Sequence, residues 1–126
     1  MIFVDTSGWF ARFTPDDPDH NRIKQWFATN TVPLITTDYC VDETHTLLLA
    51  RRRPQLAMQA GRAFFDESVI HVTYLAREQI ERAWILFQQR IDAGWSFTDC
   101  TSKIVIEDLK ISIGVHTRRA LLPIRH

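Results

Sequence analysis

Four short apolar segments, rich in β-branched residues, alternate with longer amphipathic segments along this chain of 126 residues. Each apolar segment has the length of one buried strand, and the four are residues 1–4, 32–36, 69–72 and 111–115. The longer segments repeat apolar residues at helical spacing, which predicts helices. Strands that alternate with helices pair in parallel, because each helix carries the chain back across the sheet. The pattern therefore predicts an α/β fold with a central parallel sheet flanked by helices.

Six helices are predicted between these strands. They start after Asp5, at Asp19, at Thr37 or Asp38, at Pro54, near Ala76 and at residues 96–99. The last four are expected to end near residues 51–54, 67, 91 and 109. Two of the helices carry apolar faces that we expect to point into the core, namely Ile80, Ala83, Trp84 and Phe87 on the fifth helix and Cys100, Ile104, Ile106 and Leu109 on the sixth.

The composition is that of an ordinary globular domain, with 45% hydrophobic and 24% charged residues. We interpret residues 1–126 as a single domain, since this length suffices to bury a core. The 15 basic residues balance the 15 acidic ones, so attraction to nucleic acid must come from a local patch or a metal. Cys40 and Cys100 are interpreted as small buried thiols, because two cysteines at this spacing make neither a zinc site nor a disulfide scaffold.

The sequence also bears on where the protein acts. No run approaches 18 consecutive apolar residues, which excludes a membrane-spanning helix of ordinary length. Asp5 interrupts the N-terminal apolar segment where a signal peptide would still be apolar. We therefore expect a cytoplasmic protein with no membrane partner.

Three segments place an acidic residue beside small hydroxylated residues at the edge of an apolar run. They are residues 2–7, 37–44 and 96–102, and they contain Asp5, Glu43 and Asp99. Asp5 follows the first strand and so lies at the carboxyl edge of the sheet, where open α/β folds build their sites. A cluster of carboxylates is stable only around a hard cation such as Mg²⁺. The first hypothesis is therefore a hydrolytic site of the Mg²⁺ type.

Each of these carboxylates also has a purely structural interpretation. Asp5 and Asp99 stand where helix N-caps are common, and acidic residues in the first turns of a helix, such as Glu43, suit its dipole. Asp42 points about 100° away from Glu43, so the two cannot serve one site, and Glu43 lies nearer the apolar face. The occurrence of three such positions favours function over capping alone. The run of arginines at residues 51–53 is either a phosphate-binding patch or, as we favour, a solvated helix end.

In combination, these motifs resemble those of PIN-domain ribonucleases of the VapC-like kind, the toxins of type II toxin–antitoxin pairs. The resemblance covers about residues 1–111 and rests on Phe3-Val4-Asp5-Thr6-Ser7, on Thr36-Thr37-Asp38-Tyr39 with Asp42-Glu43-Thr44, and on Asp92 before Trp95-Ser96-Phe97-Thr98-Asp99-Cys100-Thr101-Ser102. It implies a PIN-like α/β/α sandwich. It also implies that Asp5, Glu43 and Asp99 are catalytic metal ligands, supported by the hydroxyls of Thr6 or Thr98.

The resemblance further implies an activity and partners. The implied reaction is hydrolysis of RNA phosphodiesters by a water that Mg²⁺ or Mn²⁺ activates. The implied partners are the RNA substrate, a cognate antitoxin and a second copy of the chain in a homodimer. We expect Trp9, Phe10 and Phe13, with the helix at 19–27, to form an exposed apolar groove for a helix or strand of the antitoxin.

The C-terminal segment 112–126 is atypical of this family. Family members carry a segment like Ala-x-Thr-x-Asp-x-His-Phe with a fourth acidic residue, whereas residues 114–126 contain no carboxylate and Arg118 stands about where the Asp is expected. Codons exist for this tail that, read one base later, encode Ala-Phe-Thr-Pro-Asp-Ala-His-Phe, which favours a frameshifted end over an evolved replacement. The alternative function is therefore a catalytically impaired PIN-like domain that still binds antitoxin or RNA.

A third hypothesis is a receiver-like or haloacid-dehalogenase-like phosphotransfer domain built on Asp5. Such sites need a second Asp close in sequence or a well-placed Lys. The residues that follow, Thr6-Ser7-Gly8, supply neither, so this hypothesis is disfavoured.

Overall fold

Within the residues that the computed structural model describes, 1–66 and 68–113 (the last through its backbone only), four strands form one parallel sheet. The strands are β1 (Ile2–Phe3), β2 (Leu34–Thr37), β3 (Ile70–Thr73) and β4 (Ser112–Ile113), and their order across the sheet is β3-β2-β1-β4. β1 is central: Phe3 pairs with Ile35 on one side and with Ile113 on the other. The predicted parallel α/β sheet is confirmed. The predicted last strand extends to residue 115, so its final two residues lie outside the described part of the chain.

Helices connect the strands in the predicted order. They are α1 (Thr6–Phe13), α2 (His20–Thr29), α3 (Asp38–Ala50), α4 (Pro54–Phe64), α5 (Arg77–Arg90) and α6 (Phe97–Leu109), with a short 3₁₀ turn at Ile91–Ala93. Most helix boundaries match the sequence signals. Pro54, for example, lies in the first turn of α4, where its missing N–H costs nothing because the first N–H groups of a helix have no partner within the helix. The turn after α5 closes at Gly94, whose φ of +80° is a left-handed conformation that glycine adopts without strain.

Both faces of the sheet are covered, because its strands are apolar on both sides. Val4 and Leu34 point to one face and join a core cluster with Trp9 of α1 and Phe64 of α4. Phe3 points to the other face, where a second cluster contains Ile35, Cys40 and Val105. Helices therefore lie on each side of the strands, which is the α/β/α sandwich that the resemblance implied.

The prediction of an exposed aromatic groove on α1 is wrong. Trp9 is only 1% exposed, and Phe10 and Phe13 are buried as well. The Trp9 ring packs edge-on against Phe64 (centroids 5.1 Å apart), and its indole N–H donates to Thr36 Oγ1 (3.0 Å). A tryptophan whose N–H finds a buried partner can be enclosed completely, so these aromatics form the core and not an interface.

Two residues that were predicted to be inside lie at the surface, whereas both thiols are buried as predicted. Trp84 is 52% exposed and Leu109 is 45% exposed. α5 turns Ala83 inward, with Phe87 one turn later, so the residue after Ala83 points about 100° away. Cys40 and Cys100 are buried free thiols. Within the described residues, no helix is both long and apolar enough to cross a membrane.

Candidate functional site

Asp5 lies where the chain leaves the central strand. The N–H of Val4 still pairs with Ile35 O (3.1 Å), and the next residue becomes the N-cap of α1. Asp5 Oδ1 accepts hydrogen bonds from the N–H of Gly8 (3.1 Å) and from Ser7 Oγ (3.0 Å), and the residue is only 4% exposed. The carboxylate is therefore fixed at the carboxyl edge of the sheet, next to β2, the start of α3 and the site described below.

Glu43 lies in the second turn of α3, the helix that follows β2. Burial raises the pKa of its carboxyl, and the nearby negative charge of Asp99 raises that pKa further. The hydroxyls of Thr6 and Thr98 act in the opposite direction and partly offset the rise. Asp42, by contrast, is exposed to solvent. Of these two neighbours, Glu43 is thus the one that faces α1 and α6.

Asp99 is held by a reciprocal cap at the start of α6. Its Oδ2 accepts from the N–H of Ser96 (2.8 Å), and its own N–H donates to Ser96 Oγ (3.0 Å). Burial raises the pKa of the Asp99 carboxyl, while the hydrogen bonds from Ser96 lower it. Asp99 lies in the first turn of a helix that follows a 3₁₀ turn, not a strand. Its charge is nevertheless close enough to influence Glu43.

Hydroxyl and thiol groups lie beside these carboxylates. Thr6 Oγ1 is buried and makes no well-aligned hydrogen bond within the described residues, although it lies close to both Glu43 and Cys40. Burial raises the pKa of the Cys40 thiol, and the charge of Asp5 raises it further. Cys40 Sγ lies 3.3 Å from Ser102 Oγ, so the thiol is a buried polar contact between α3 and α6.

The donor atoms of this site are of the type that a hard cation prefers, but their side chains are too far apart to bind one as they stand. Within residues 1–66 and 68–113, no three His, Cys, Asp or Glu side chains are close enough to form a ready-made metal site. The donors are nevertheless carboxylate and hydroxyl oxygens, the ligands that Mg²⁺ prefers. The raised pKa of Glu43 and the buried, poorly bonded hydroxyl of Thr6 are both features that a cation would relieve. The residues therefore fit a divalent ion if the side chains close around it.

Three contacts beside the site could not be predicted from the sequence. Asp38 Oδ1 accepts from the N–H of Leu75 (3.0 Å), which ties the loop after β3 to the start of α3. Tyr39 packs its ring against Phe97, and the Cys40–Ser102 contact joins the same two helices. All three contacts join residues at least 37 positions apart, so only the folded chain reveals them. The tail with Arg118 lies outside the described residues.

Comparisons with known proteins place the chain in a family. A scan against the profiles of known protein families gives no match. The chain is 33% identical over 106 residues to proteins named 23S rRNA-specific endonuclease VapC20 in two strains of Mycobacterium tuberculosis, which covers 84% of this chain and 80% of theirs. It is 32% identical over 91 residues to a VapC ribonuclease of Archaeoglobus fulgidus, covering 71% of this chain and 57% of that protein.

A solved structure agrees with these relatives. The crystal structure of Mycobacterium tuberculosis VapC20, described as a sarcin–ricin loop cleaving toxin, matches this fold with a TM-score of 0.79 and 29% identity. The match covers 88% of this chain and 85% of that one. Sequence and fold thus agree with the resemblance first suggested by the acidic motifs, and the chain belongs to the VapC family of PIN-domain ribonuclease toxins.

Proposed function

We propose that this chain is a Mg²⁺- or Mn²⁺-dependent endoribonuclease that acts in the cytoplasm as the toxin of a toxin–antitoxin pair. The observation that carries the proposal is the position of Glu43 beside Thr98, Asp99 and Thr6, the residue that directly follows Asp5 at the start of α1. Family membership supplies the reaction class, and these residues supply the donors for it.

Asp5, Glu43 and Asp99 are the residues that would hold the ion. When bound, it would acidify the attacking water and neutralise charge on the phosphodiester. Asp5 and Asp99 are held in place by hydrogen bonds from Ser7, Gly8 and Ser96, so their carboxylates need little reorganisation. Glu43 lies beside the hydroxyls of Thr6 and Thr98 and, within the described residues, accepts no backbone hydrogen bond like those that fix Asp5 and Asp99, so it is the side chain that adjusts when the site closes.

Ribosomal RNA is the substrate class to test first. The Mycobacterium tuberculosis relative is named for cleavage of 23S rRNA, and its crystal structure is that of a sarcin–ricin loop cleaving toxin. The present chain has no net charge, so electrostatic attraction of the whole molecule to RNA is weak. We therefore propose that selection depends on contacts close to the site, within a loop of structured RNA.

The experiment is cleavage of an end-labelled sarcin–ricin-loop hairpin, beside an unrelated hairpin of equal length. We expect cleavage with Mg²⁺ or Mn²⁺ and none with EDTA. Glu43→Gln and Asp99→Asn should each reduce the rate by at least about 100-fold, because the donors act as one unit. Asp42→Asn, on the exposed neighbour of Glu43, is the matched control and should cleave like the parent. Equal loss in Asp42→Asn and Glu43→Gln would contradict the assigned site.

The sequence of the tail favours a second candidate, an impaired nuclease that still binds its partners. Residues 114–126 contain no carboxylate, and Arg118 occupies about the position of the fourth family acid. A cation there would compete with a metal ion. Replacing the tail by one that begins Ala-Phe-Thr-Pro-Asp-Ala-His-Phe should then raise the cleavage rate well above that of the present chain. Equal rates would show that the fourth acid is dispensable.

The proposed protein partners are a cognate antitoxin and a second copy of the chain. Both proposals rest on family membership. Light scattering of the purified chain should give about twice the monomer mass of 14.7 kDa. Co-expression with the product of an adjacent small gene for a DNA-binding protein should suppress cleavage. A monomeric mass, or undiminished cleavage, would contradict the respective proposal.

A further inference from the structure

A row of aromatic rings runs from the start of α3 to the middle of α5. Neighbouring ring centroids are 6.0 Å apart for Tyr39 and Phe97, 5.8 Å for Phe97 and Phe87, and 6.2 Å for Phe87 and Trp84. The first three side chains are partly exposed, and Trp84 is mostly so. The row therefore presents aromatic surface to solvent on the side of the molecule that contains α5 and α6.

The first two rings of this row flank the acidic site. Tyr39 precedes Glu43 by four residues, which places the two on the same side of α3 about one helical turn apart. Phe97 directly precedes Thr98, whose hydroxyl lies beside Glu43. The pair formed by Tyr39 and Phe97 thus bridges the starts of α3 and α6 next to the proposed metal ligands. We refer to this pair as the aromatic wall.

Core packing accounts for the positions of Phe97 and Phe87 in this row but not for that of Tyr39. Phe97 and Phe87 pack against the buried cluster of Ala83, Trp95, Cys100 and Ile104, which holds their rings in place. Tyr39 is not part of that cluster. Within the described residues, its hydroxyl makes no hydrogen bond, so the ring is not held there by its polar end. Tyr39 therefore contributes a partly exposed ring that packs against the fixed ring of Phe97, beside the proposed site for phosphodiesters.

We propose that the aromatic wall stacks one unpaired nucleobase of the RNA next to the scissile phosphate. The proposal rests on the nuclease function proposed above and narrows its substrate class to RNA loops or single strands. Bases in such segments are unstacked, and proteins take them up on aromatic side chains. Every base has a π-face, so the wall would position the strand without selecting its sequence.

A binding experiment tests the wall directly. The probe is a fluorescein-labelled single-stranded RNA of eight nucleotides, together with the same RNA carrying an abasic nucleotide at each position in turn. Binding is measured by anisotropy in the Asp99→Asn background, so that the probe is not cleaved. We expect one position at which loss of the base weakens binding by about tenfold, the size of a typical base–aromatic stack.

Variants of Tyr39 then assign the effect to the ring. Tyr39→Leu keeps apolar bulk but removes the π-face, and it should abolish the difference between intact and abasic RNA. Tyr39→Phe should keep the difference, since it retains the ring. Phe65→Leu is the control for ring loss elsewhere, because Phe65 is a more exposed ring (64%) than Tyr39 and lies just before β3, at the opposite edge of the sheet. Phe65→Leu should show the same difference in affinity between intact and abasic RNA as its parent.

The outcomes separate this proposal from the nuclease itself. If no abasic position weakens binding, or if Tyr39→Leu discriminates as well as its parent, the aromatic wall is wrong even when the unsubstituted chain cleaves RNA. If the difference follows the Tyr39 ring but the unsubstituted chain cleaves nothing, the wall stands and the proposed function fails. Where cleavage is measured, Tyr39→Leu should raise KM more than it lowers kcat.

Discussion

Replacing Glu43 by Gln should have opposite effects on stability with and without a divalent ion. In the absence of metal, burial and the charge of Asp99 both disfavour the ionised carboxylate, as its raised pKa records. Glutamine removes that charge, while its side-chain oxygen remains beside the hydroxyls of Thr6 and Thr98. In the presence of metal, the same substitution removes a proposed ligand. Glu43→Gln should therefore stabilise the metal-free protein and weaken the stabilisation that an ion provides.

The two effects are large enough to measure. Relief of an unfavourable charge typically yields about 1 kcal/mol, or about 4 °C in Tm for a chain of this size. An ion at ten times its Kd stabilises the parent by about 1.4 kcal/mol, and at one hundred times by about 2.7 kcal/mol. The gain without metal also depends on pH. The pKa of the Glu43 carboxyl is higher in the folded protein than its ordinary value of 4.5 in the unfolded chain. The parent therefore loses stability as pH rises above 4.5 and through the raised pKa of the folded state. The advantage of Glu43→Gln should accordingly be absent below about pH 4 and present at neutral pH.

The assay is thermal unfolding of both proteins at neutral pH, in EDTA and in a Mn²⁺ titration. Asp42→Asn is the control, since this exposed neighbour should change Tm little under either condition. The reasoning is refuted if Glu43→Gln melts below the parent in EDTA, or if Mn²⁺ raises the Tm of both proteins equally.

Three further predictions concern the stability of the fold. Arg82 binds Asp108 (2.8 Å) between α5 and α6 and lowers the pKa of that carboxyl to about 2. A double-mutant cycle on this pair should therefore show a small favourable coupling at neutral pH that is lost as pH falls from 3.8 toward 2, and an unchanged coupling at pH 2 would contradict it. Gly61→Ala would place a methyl group 3.0 Å from His45 Nε2, and the His45 ring is held by a hydrogen bond from its Nδ1 to Val41 O, so the substitution should destabilise the parent. In a His45→Ala background it should instead stabilise by up to about 1 kcal/mol through helix propensity, and the same sign in both backgrounds would disprove the contact. Phe64→Ala should cost about 3–5 kcal/mol in urea unfolding, because the ring packs on Trp9 and Phe13 in the larger core cluster, and a cost below about 1 kcal/mol would show that the cluster is not tightly packed.

Local patterns predicted the fold well because its signals are short in range. The apolar run before Asp5 and the alternation of strands and helices are visible in the sequence, as is the proline that opens α4. Helix ends were less certain: α4 ends at Phe64, three residues before the predicted end. Whether an apolar helix face lies in the core or at the surface could not be predicted reliably from the sequence. Apolar spacing on α1 is the same whether its face meets a partner or a core, and only the packing of Phe64 onto Trp9 decides between them.

The sequence was enough to select the charged residues of the candidate site, but not to predict which side chains contact each other there. Asp5, Glu43 and Asp99 could be selected from the sequence because each stands in or just before the first two turns of a helix near hydroxylated residues, and because the family resemblance includes all three. The proximity of Thr98 to Glu43 and of Phe97 to Tyr39 depends on how α6 crosses α3. No local pattern encodes that crossing, since the residues involved are more than 50 positions apart in the chain.

Asp5 and Asp99 each take part in a helix cap beside their proposed role in binding metal, and this has a genetic consequence. Loss of a capping side chain costs about 0.5–2 kcal/mol, enough to lower the amount of a marginally stable protein in the cell. A cell that escapes poisoning by altering either residue to alanine would therefore lose much of the polypeptide along with its activity. Glu43 caps no helix, and its loss removes a charge that burial and the nearby Asp99 both disfavour. Escape through Glu43 would instead leave an abundant, inert protein that still sequesters antitoxin and so exposes the cell to any intact copy of the toxin.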